Sequence, residues 1–350
     1  MLCNIAQKID QLNHALNLYV SNVSNTNGKK NCSQMALENN ISHDELYRAQ
    51  TFLSKKLLHL KPLLLGIGIG MAKQKQGWLV ADVTYISKKH SKHTEGAGLG
   101  YSGSSKEVEN GLSLIMVMWT DGRIKVPLAY EIFIPKSVAG DEHVKTHDLV
   151  LRMVIPIAQK IGCFRFLADG AFANKDVIKA LNENHIIFIM RFASNRIIRT
   201  ADGIRAATKQ HPAFHFDRNI RAISISAEWQ GIKVYITASR QRNNKNQWEF
   251  RYLVSNRSNE KIPHIQNYDK RWAIEVFFRS AKQDFGLSDC QARSLFMQMA
   301  HIIAVCFAFV KREESTMKNQ INIKKSSLNR KIIEVPMFRM HYRSMDHAYA

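Results

Sequence analysis

Acidic residues are scarce in this chain of 350 residues. It holds 29 Asp and Glu against 50 Lys and Arg, so its formal net charge is +21. A cationic surplus of this size predicts a polyanionic partner, of which nucleic acid is the first choice. An anionic membrane surface is the competing partner, but the sequence shows no basic amphipathic anchor.

Cysteine is rare as well. The five cysteines are scattered and no Cys-x-x-Cys pair occurs. This argues against a disulfide framework and against a zinc site, and it indicates a reducing compartment. The first residues, MLCNIAQKIDQLNHAL, do not have the pattern of a signal peptide, so we expect an intracellular protein.

Apolar runs long enough to cross a bilayer are also lacking. Leu63–Met71 is too short, and Leu295–Val310 contains Gln298 and His301. The longer run therefore predicts a buried core helix, and we expect a soluble protein with no membrane partner. Hydrophobic residues make up 45% of the chain, which suits one large globular domain plus a small one.

Residues 1–75 predict a small all-helical domain. A second helix ends at Asn39-Asn40, and Ser42 with Glu45 three residues later has the pattern of a capping box. A helix, a tight turn and a capped helix outline a helix-turn-helix, although any helical hairpin has the same pattern. The cations available for DNA in this segment are Arg48, Lys55 and Lys56.

Asp82 lies within an apolar run that predicts a buried strand over Gly77–Ser87. An ionised carboxylate in such a strand is costly unless it is paired, hydrogen-bonded or bound to a metal. An acid paired with a buried base is the plain alternative. Two more strands are predicted over Leu112–Thr120 and Ile124–Ile134, joined by the hairpin turn Asp121-Gly122.

The segment between the first two of these strands contains Gly98-x-Gly100-x-x-Gly103. These letters match a dinucleotide-binding fingerprint, but a strand follows them and not a helix. The structural context of a nucleotide site is therefore missing, and we interpret the segment as a loop.

A second acid, Asp169, follows the short apolar strand Phe164–Ala168 and precedes Gly170. A helix from about Asn174 and a strand over Ile186–Met190 come next. An acid at the carboxyl end of a strand is where α/β folds place chemistry. The alternative is turn chemistry, since Asp-Gly is a common turn pair.

Residues 192–255 predict a β-rich insertion. Three stretches alternate between apolar and polar residues as strands do. They are Arg221–Trp229, Lys233–Ser239 and Glu249–Ser255.

The stretch Asn267–Asp284 predicts one continuous amphipathic helix. On such a helix four polar side chains share an arc of about 60°, and Arg279 falls close to them. An apolar stripe covers the other side, so the polar arc would face solvent or a ligand. A solvated helix face is the plain alternative. The four side chains are Tyr268, Arg271, Glu275 and Lys282.

The spacing Tyr-x2-Arg-x3-Glu-x6-Lys resembles the YREK signature of cut-and-paste transposases from bacterial insertion sequences, the insertion-sequence-4-like group. The predicted element order over about 76–310 resembles the RNase H-like catalytic domain of DDE transposases and integrases. Asp82, Asp169 and Glu275 stand at the places of that family's three acids. The resemblance implies an α/β fold: an RNase H-like domain with a β-rich insertion, preceded by the helical domain and followed by a basic tail, 311–350.

The resemblance also implies an activity: metal-dependent cleavage at transposon ends and strand transfer by the freed 3′-OH. The three acids would hold two Mg²⁺ ions, for which Mn²⁺ can substitute, about 3.5–4 Å apart. The partners would be double-stranded DNA, as transposon ends and target, and a second copy in a homodimer. The place of action would be the bacterial cytoplasm, at the nucleoid.

The resemblance further assigns DNA contacts. Phosphates next to the cut would be bound by the polar residues of the signature helix, and an aromatic of the insertion would hold a flipped base. Hydrophobic packing of a small sheet is the alternative for both aromatics. The DNA-contacting residues would be Tyr268, Arg271, Arg279 and Lys282 on the helix and Trp248 or Tyr252 in the insertion.

Two other functions stay open. A non-catalytic DNA-binding regulator derived from a transposase would share the basic charge and the N-terminal hairpin, but it would not need three acids. Another RNase H-like nuclease would share the acids, but it would not need the YREK spacing.

Overall fold

One mixed sheet of eleven strands carries the fold in the part of the chain that the structure describes. The structure is a computed structural model, and it describes residues 2–72, 76–91, 93–103, 105–217, 219–242 and 245–325. Helices pack around this sheet, so the α/β class expected from the sequence is confirmed.

Four helices precede the sheet. The second ends where Asn40 adopts a left-handed conformation with φ 51°, and its N–H bonds back to the Ala36 carbonyl. Ser42 caps the third helix by position, but its side chain makes no cap hydrogen bond, so the capping box expected with Glu45 is wrong. The helices are α1 (Leu2–Asn25), α2 (Cys32–Asn39), α3 (His43–Ser54) and α4 (Leu57–Ala72).

An antiparallel unit begins the sheet, as the sequence predicts. Asp121 accepts hydrogen bonds from two backbone N–H groups of its own turn, and Gly122 takes φ 102°, which closes the predicted hairpin. The third strand pairs with its neighbours on both sides. The strands are β1 (Trp78–Ser87), β2 (Gly98–Ser102), β3 (Glu107–Thr120) and β4 (Lys125–Phe133).

The short strand β2 lies in the segment interpreted as a loop. It pairs antiparallel with the start of β3, from Gly98 opposite Gly111 to Ser102 opposite Glu107. A Cβ on Gly100 would come within 2.6 Å of the Tyr85 ring. Gly100 therefore allows close approach to an aromatic ring, which explains this glycine without any nucleotide.

Two parallel strands continue the sheet beyond β1. The long helix before the first of them begins at Thr146, after a 3-10 turn over 140–142. It ends at Gly162, which takes the left-handed conformation that glycine adopts readily. The elements are α5 (Lys136–Ala139), α6 (Thr146–Ile161), β5 (Arg165–Ala168), α7 (Lys175–Glu183) and β6 (Ile187–Arg191).

The β-rich segment predicted over 192–255 is present and belongs to the same sheet. Its last strand pairs antiparallel with β6, with Leu253 opposite Arg191. The sheet order is β2-β3-β1-β5-β6-β11-β10-β9-β7-β8, and β4 pairs with β3. The added strands are β7 (Ile197–Arg199), β8 (Arg205–Ala207), β9 (Ala222–Trp229), β10 (Ile232–Arg242) and β11 (Trp248–Ser255).

The continuous helix predicted over Asn267–Asp284 is wrong in one respect. A 3-10 turn over Asp269–Arg271 interrupts it. Side chains from distant parts of the chain stabilise this interruption. Trp78 donates to the Asn267 side chain, and Arg251 pairs with Asp269 at 2.8 Å. The helices are α8 (His264–Tyr268), α9 (Trp272–Gln283) and, last among the described residues, α10 (Leu295–Lys325).

The core is organised around α10. Its stretch Leu295–Thr316 is long and apolar enough to cross a membrane, but 72% of the apolar window is buried inside the fold. Helices α1, α3, α4 and α9 and strand β4 pack against it. The predicted buried core helix is confirmed, and α1 to α4 share one hydrophobic core with the sheet. Residues 326–350 of the predicted basic tail lie outside the described residues.

A fully buried histidine joins the first and last of these helices. His301 donates from Nε2 to the Gly286 carbonyl at 2.9 Å, and the Tyr19 hydroxyl donates to its Nδ1 at 3.1 Å. Burial lowers the pKa of His301 to about 4. The neutral imidazole is therefore the native form.

This histidine predicts a loss of stability in acid. Unfolding exposes an imidazole that protonates below pH about 6.5, so its contribution is complete above that pH and is lost as the pH falls towards 4. We expect the free energy of unfolding to fall by up to about 3 kcal/mol across this range. Urea unfolding of wild type and His301→Gln at several pH values measures it. Equal pH slopes for the two proteins would contradict the assignment.

Candidate active site

Strand pairing places the first two acids side by side. In the parallel register of β1 and β5, Ala81 lies opposite Ala168. Asp82 follows Ala81 within β1, Asp169 directly follows the end of β5, and neighbouring strands lie about 4.8 Å apart. Both carboxylates therefore stand at the carboxyl end of β5, where open α/β sheets place their ligands.

A guanidinium connects the third acid to this pair. Arg271 Nη1 lies 3.1 Å from Asp82 Oδ2, and its Nη2 donates to Glu275 Oε1 one helical turn away. The Arg271 side chain is only 16% exposed. The ring of Tyr268 lies 5.7 Å from its guanidinium carbon and supports it from one side. Asp82 and Glu275 thus share one cation.

The electrostatics of Asp82 reflect this crowding. Burial raises the pKa of Asp82 to about 6; the Val83 N–H and Arg271 lower it, while the charges of Asp169 and Glu275 raise it. The Val83 N–H donates to Asp82 Oδ1 at 2.8 Å. The charges of Asp169 and Glu275 therefore both act on Asp82 in the folded chain.

A divalent cation fits the chemistry of this donor set. Carboxylate oxygens are the ligands that Mg²⁺ prefers, and three anionic side chains held together gain from added positive charge. The arrangement as it stands is not a preformed cage, because Arg271 already lies between Asp82 and Glu275. Consistent with this, the described residues contain no group of three His, Cys, Asp or Glu side chains placed to hold a metal. Arg271 must shift for a cation to contact both acids.

The other predicted helix residues have different surroundings. Tyr268 is 6% exposed, and burial raises its pKa to about 12, so it supports Arg271 more than it faces solvent. Lys282 is half-buried, and burial lowers its pKa. Arg279 is exposed on α9 and lies 5.8 Å from the Trp272 ring.

The two candidate aromatics of the insertion differ sharply. Trp248 is 44% exposed, and the guanidinium carbons of Arg240 and Arg242 each lie 4.5 Å from its ring. Tyr252 is 7% exposed and packs edge-on against Phe214. Trp248 therefore presents an aromatic face beside two cations, whereas the position of Tyr252 favours the packing alternative.

Sequence reasoning missed two cations of the site. Arg191, the last residue of β6, and Arg251 on β11 both act electrostatically on Tyr268. A Cβ on Gly170 would lie 3.4 Å from the Arg191 carbonyl, so β6 ends against the turn after Asp169. The carboxyl-end rule that identified Asp169 would also have identified Arg191. Arg251 lacked such a signal, because nothing in the sequence predicts the pairing of β11 with β6.

The shared guanidinium predicts a stability effect. Arg271→Ala leaves two crowded carboxylates without their cation, so we expect a loss of about 2 kcal/mol in the free energy of unfolding. Arg279→Ala, on the same helix but exposed, is the matched control and should change little. In an Asp82→Asn background the Arg271→Ala cost should shrink, since the buried charge is gone. Urea unfolding without divalent ions tests this, and an undiminished cost would contradict the pairing.

Comparison with known proteins agrees with this geometry. The family model described as a transposase DDE domain matches residues 73–310, more than half of the chain. The match covers all three acids and the whole insertion. No curated protein matches the chain. Since the family model spans the sheet, the three acids and the helix that carries Arg271, this chain belongs to the family of transposases with a DDE domain.

Proposed function

We propose that this protein is a cut-and-paste transposase of the YREK group, which cleaves DNA at transposon ends and joins the freed 3′-OH to target DNA. The observation that carries the proposal is that Asp82 lies beside Asp169 and shares Arg271 with Glu275. Three acids crowded together at the carboxyl end of β5 lower the stability of the fold, and phosphoryl-transfer chemistry gives a reason to keep them there.

The strand order supports an RNase H-like assignment for residues 76–310. The strand pairs β4–β3 and β3–β1 are antiparallel, and β5 and β6 continue the sheet parallel to β1. The insertion of residues 192–255 and the helices of residues 1–75 then flank this unit. In the proposed arrangement α2 and α3 read DNA through Arg48.

The carboxylates and the cations have separate roles. Asp82 would bridge two divalent ions, and Asp169 and Glu275 would each hold one. When bound there, Mg²⁺ or Mn²⁺ supplies activation of water and stabilisation of the leaving 3′ oxygen. Arg271 exchanges its carboxylate partners for a DNA phosphate, which its planar fork suits.

Further contacts extend along the same surface. Lys282 and Arg279 line the approach to the phosphates, and Tyr268 supports Arg271 from behind. Trp248 offers a stacking face for an unpaired base. The partner is double-stranded DNA, and two copies of the protein hold two ends in one complex. The protein acts in the bacterial cytoplasm at the nucleoid.

A second function is favoured by one observation. Arg271 already neutralises Asp82 and Glu275, an arrangement that a non-catalytic DNA-binding regulator could keep permanently. Cleavage distinguishes the two functions, because only the transposase requires the acids to be released.

Loss of either Asp169 or Glu275 should abolish cleavage. We expect Asp169→Asn and Glu275→Gln to remove divalent-ion-dependent cutting of linear DNA that carries the gene's own flanking sequence. DNA binding should be retained, because the phosphate-binding cations are intact. Gel shifts and cleavage assays on the same samples measure both properties.

Matched controls for these variants are Asp148→Asn and Glu183→Gln, which change acids on α6 and α7 away from the site. They should cut as wild type does. Unchanged cutting by Asp169→Asn or Glu275→Gln would overturn the catalytic assignment, and absence of cutting by wild type would favour the regulator.

Arg271→Ala should also weaken DNA binding and flatten its dependence on salt. Each phosphate contact contributes about 0.9 to the slope of log affinity against log salt concentration. We expect a loss of about one such unit, measured by fluorescence anisotropy, against Arg152→Ala on α6 as control. A wild-type slope for Arg271→Ala would rule out a phosphate contact there.

A further inference from the structure

A second basic feature lies apart from the carboxylates. A cavity of about 680 Å³ opens between the start of α7 and the insertion strands β7, β8 and β9. We call it the Arg196 groove. Its lining residues are Asn174, Lys175, Arg196 to Arg199, Arg205 and Glu228 to Gly231.

The guanidinium of Arg196 is fixed at the base of this groove. Its central carbon lies 4.8 Å from the Phe192 ring and 4.9 Å from the Trp229 ring. Its Nη1 donates to the Ala173 carbonyl. No carboxylate lies within ion-pair distance of Arg196 among the described residues. Two aromatic rings therefore hold a cation whose charge the protein does not neutralise.

Three exposed cations surround Arg196. Lys175, Arg199 and Arg205 line the groove, and in the described part of the chain none of them forms an ion pair. Glu228 is the one acid in the lining, opposite Arg199 in the sheet. The groove thus carries a clear surplus of positive charge, which attracts an anion.

The groove is close to the catalytic edge along the chain. Ala173, which accepts from Arg196, follows Asp169 through the 3-10 turn Gly170–Phe172. Even a fully extended chain over this distance would span only about 14 Å. DNA rises about 3.4 Å per nucleotide of one strand, so the groove lies within a few nucleotides of a phosphate held at Asp169.

We propose that the Arg196 groove binds the phosphodiester backbone of double-stranded DNA a few nucleotides away from the phosphate at the three acids. This rests on the proposed function for the source of the DNA, but the groove's charge and shape are independent of it. Arg196 positions the groove against the turn after Asp169, and Lys175, Arg199 and Arg205 contact successive phosphates. The site adds affinity without sequence preference, because it contacts backbone alone.

Removal of two groove cations tests this. Arg199→Gln with Arg205→Gln keeps two long polar side chains on exposed strand positions and removes two charges. The control pair is Arg152→Gln with Lys160→Gln, exposed cations on α6 with the same loss of charge. Binding of a duplex of arbitrary sequence is measured by anisotropy between about 50 and 200 mM salt.

We expect the groove pair to lower the salt slope by about two phosphate contacts, roughly 1.8, and to weaken binding at least tenfold. The control pair should stay near wild type. Equal slopes for the groove pair and the control pair would overturn the groove as a DNA contact.

Two further arms separate the remaining outcomes. If the groove pair keeps the wild-type slope while Arg271→Ala lowers it, the groove fails and the proposed active site stands. If the groove pair lowers the slope although wild type cuts no DNA, the groove stands without the transposase function.

Discussion

Charge compensation by Arg271 is the interaction on which the site depends. The sheet register puts Asp82 beside Asp169, and α9 adds Glu275, so three like charges meet in a partly buried place. One guanidinium with two carboxylate partners makes this tolerable. Tyr268 is buried beneath it, and the 3-10 turn before α9 sets its position. The same cation that stabilises the free protein therefore stands where the proposed function places DNA and metal.

The sequence predicted most of the sheet, because buried strands and their turns have strong local patterns. The Asp121-Gly122 hairpin, the strand before Asp169 and the three long strands of the insertion all formed where alternation and turn residues indicated them. The break between α8 and α9 was not predictable, because it is fastened by Trp78 and Arg251 from distant parts of the chain. The contacts of Ser42 do not explain why the predicted capping box is not formed.

The candidate site was predictable in its acids and less so in its cations. Each acid has a local sequence pattern that marks it: Asp82 lies on a buried strand, Asp169 at a strand end and Glu275 in a spaced helical motif. Arg271 is shared by Asp82 and Glu275 only because the folded chain brings Asp82 to α9. Helical spacing alone showed Arg271 as a cation free to contact a phosphate. Tyr252 shows the same limit, since its strand pattern left open which face would be buried.

The pairing of β11 with β6 has a mechanical consequence. Strand β11 of the insertion is hydrogen-bonded to β6, and β6 is hydrogen-bonded to β5, which ends just before Asp169. The insertion and these strands therefore form one continuous sheet. Force applied to the insertion by a bent duplex would reach the catalytic edge through backbone hydrogen bonds. A hinge between insertion and catalytic strands is thereby disfavoured. Any rearrangement would then fall to the segment around α8 and α9, which a few side-chain contacts hold in place.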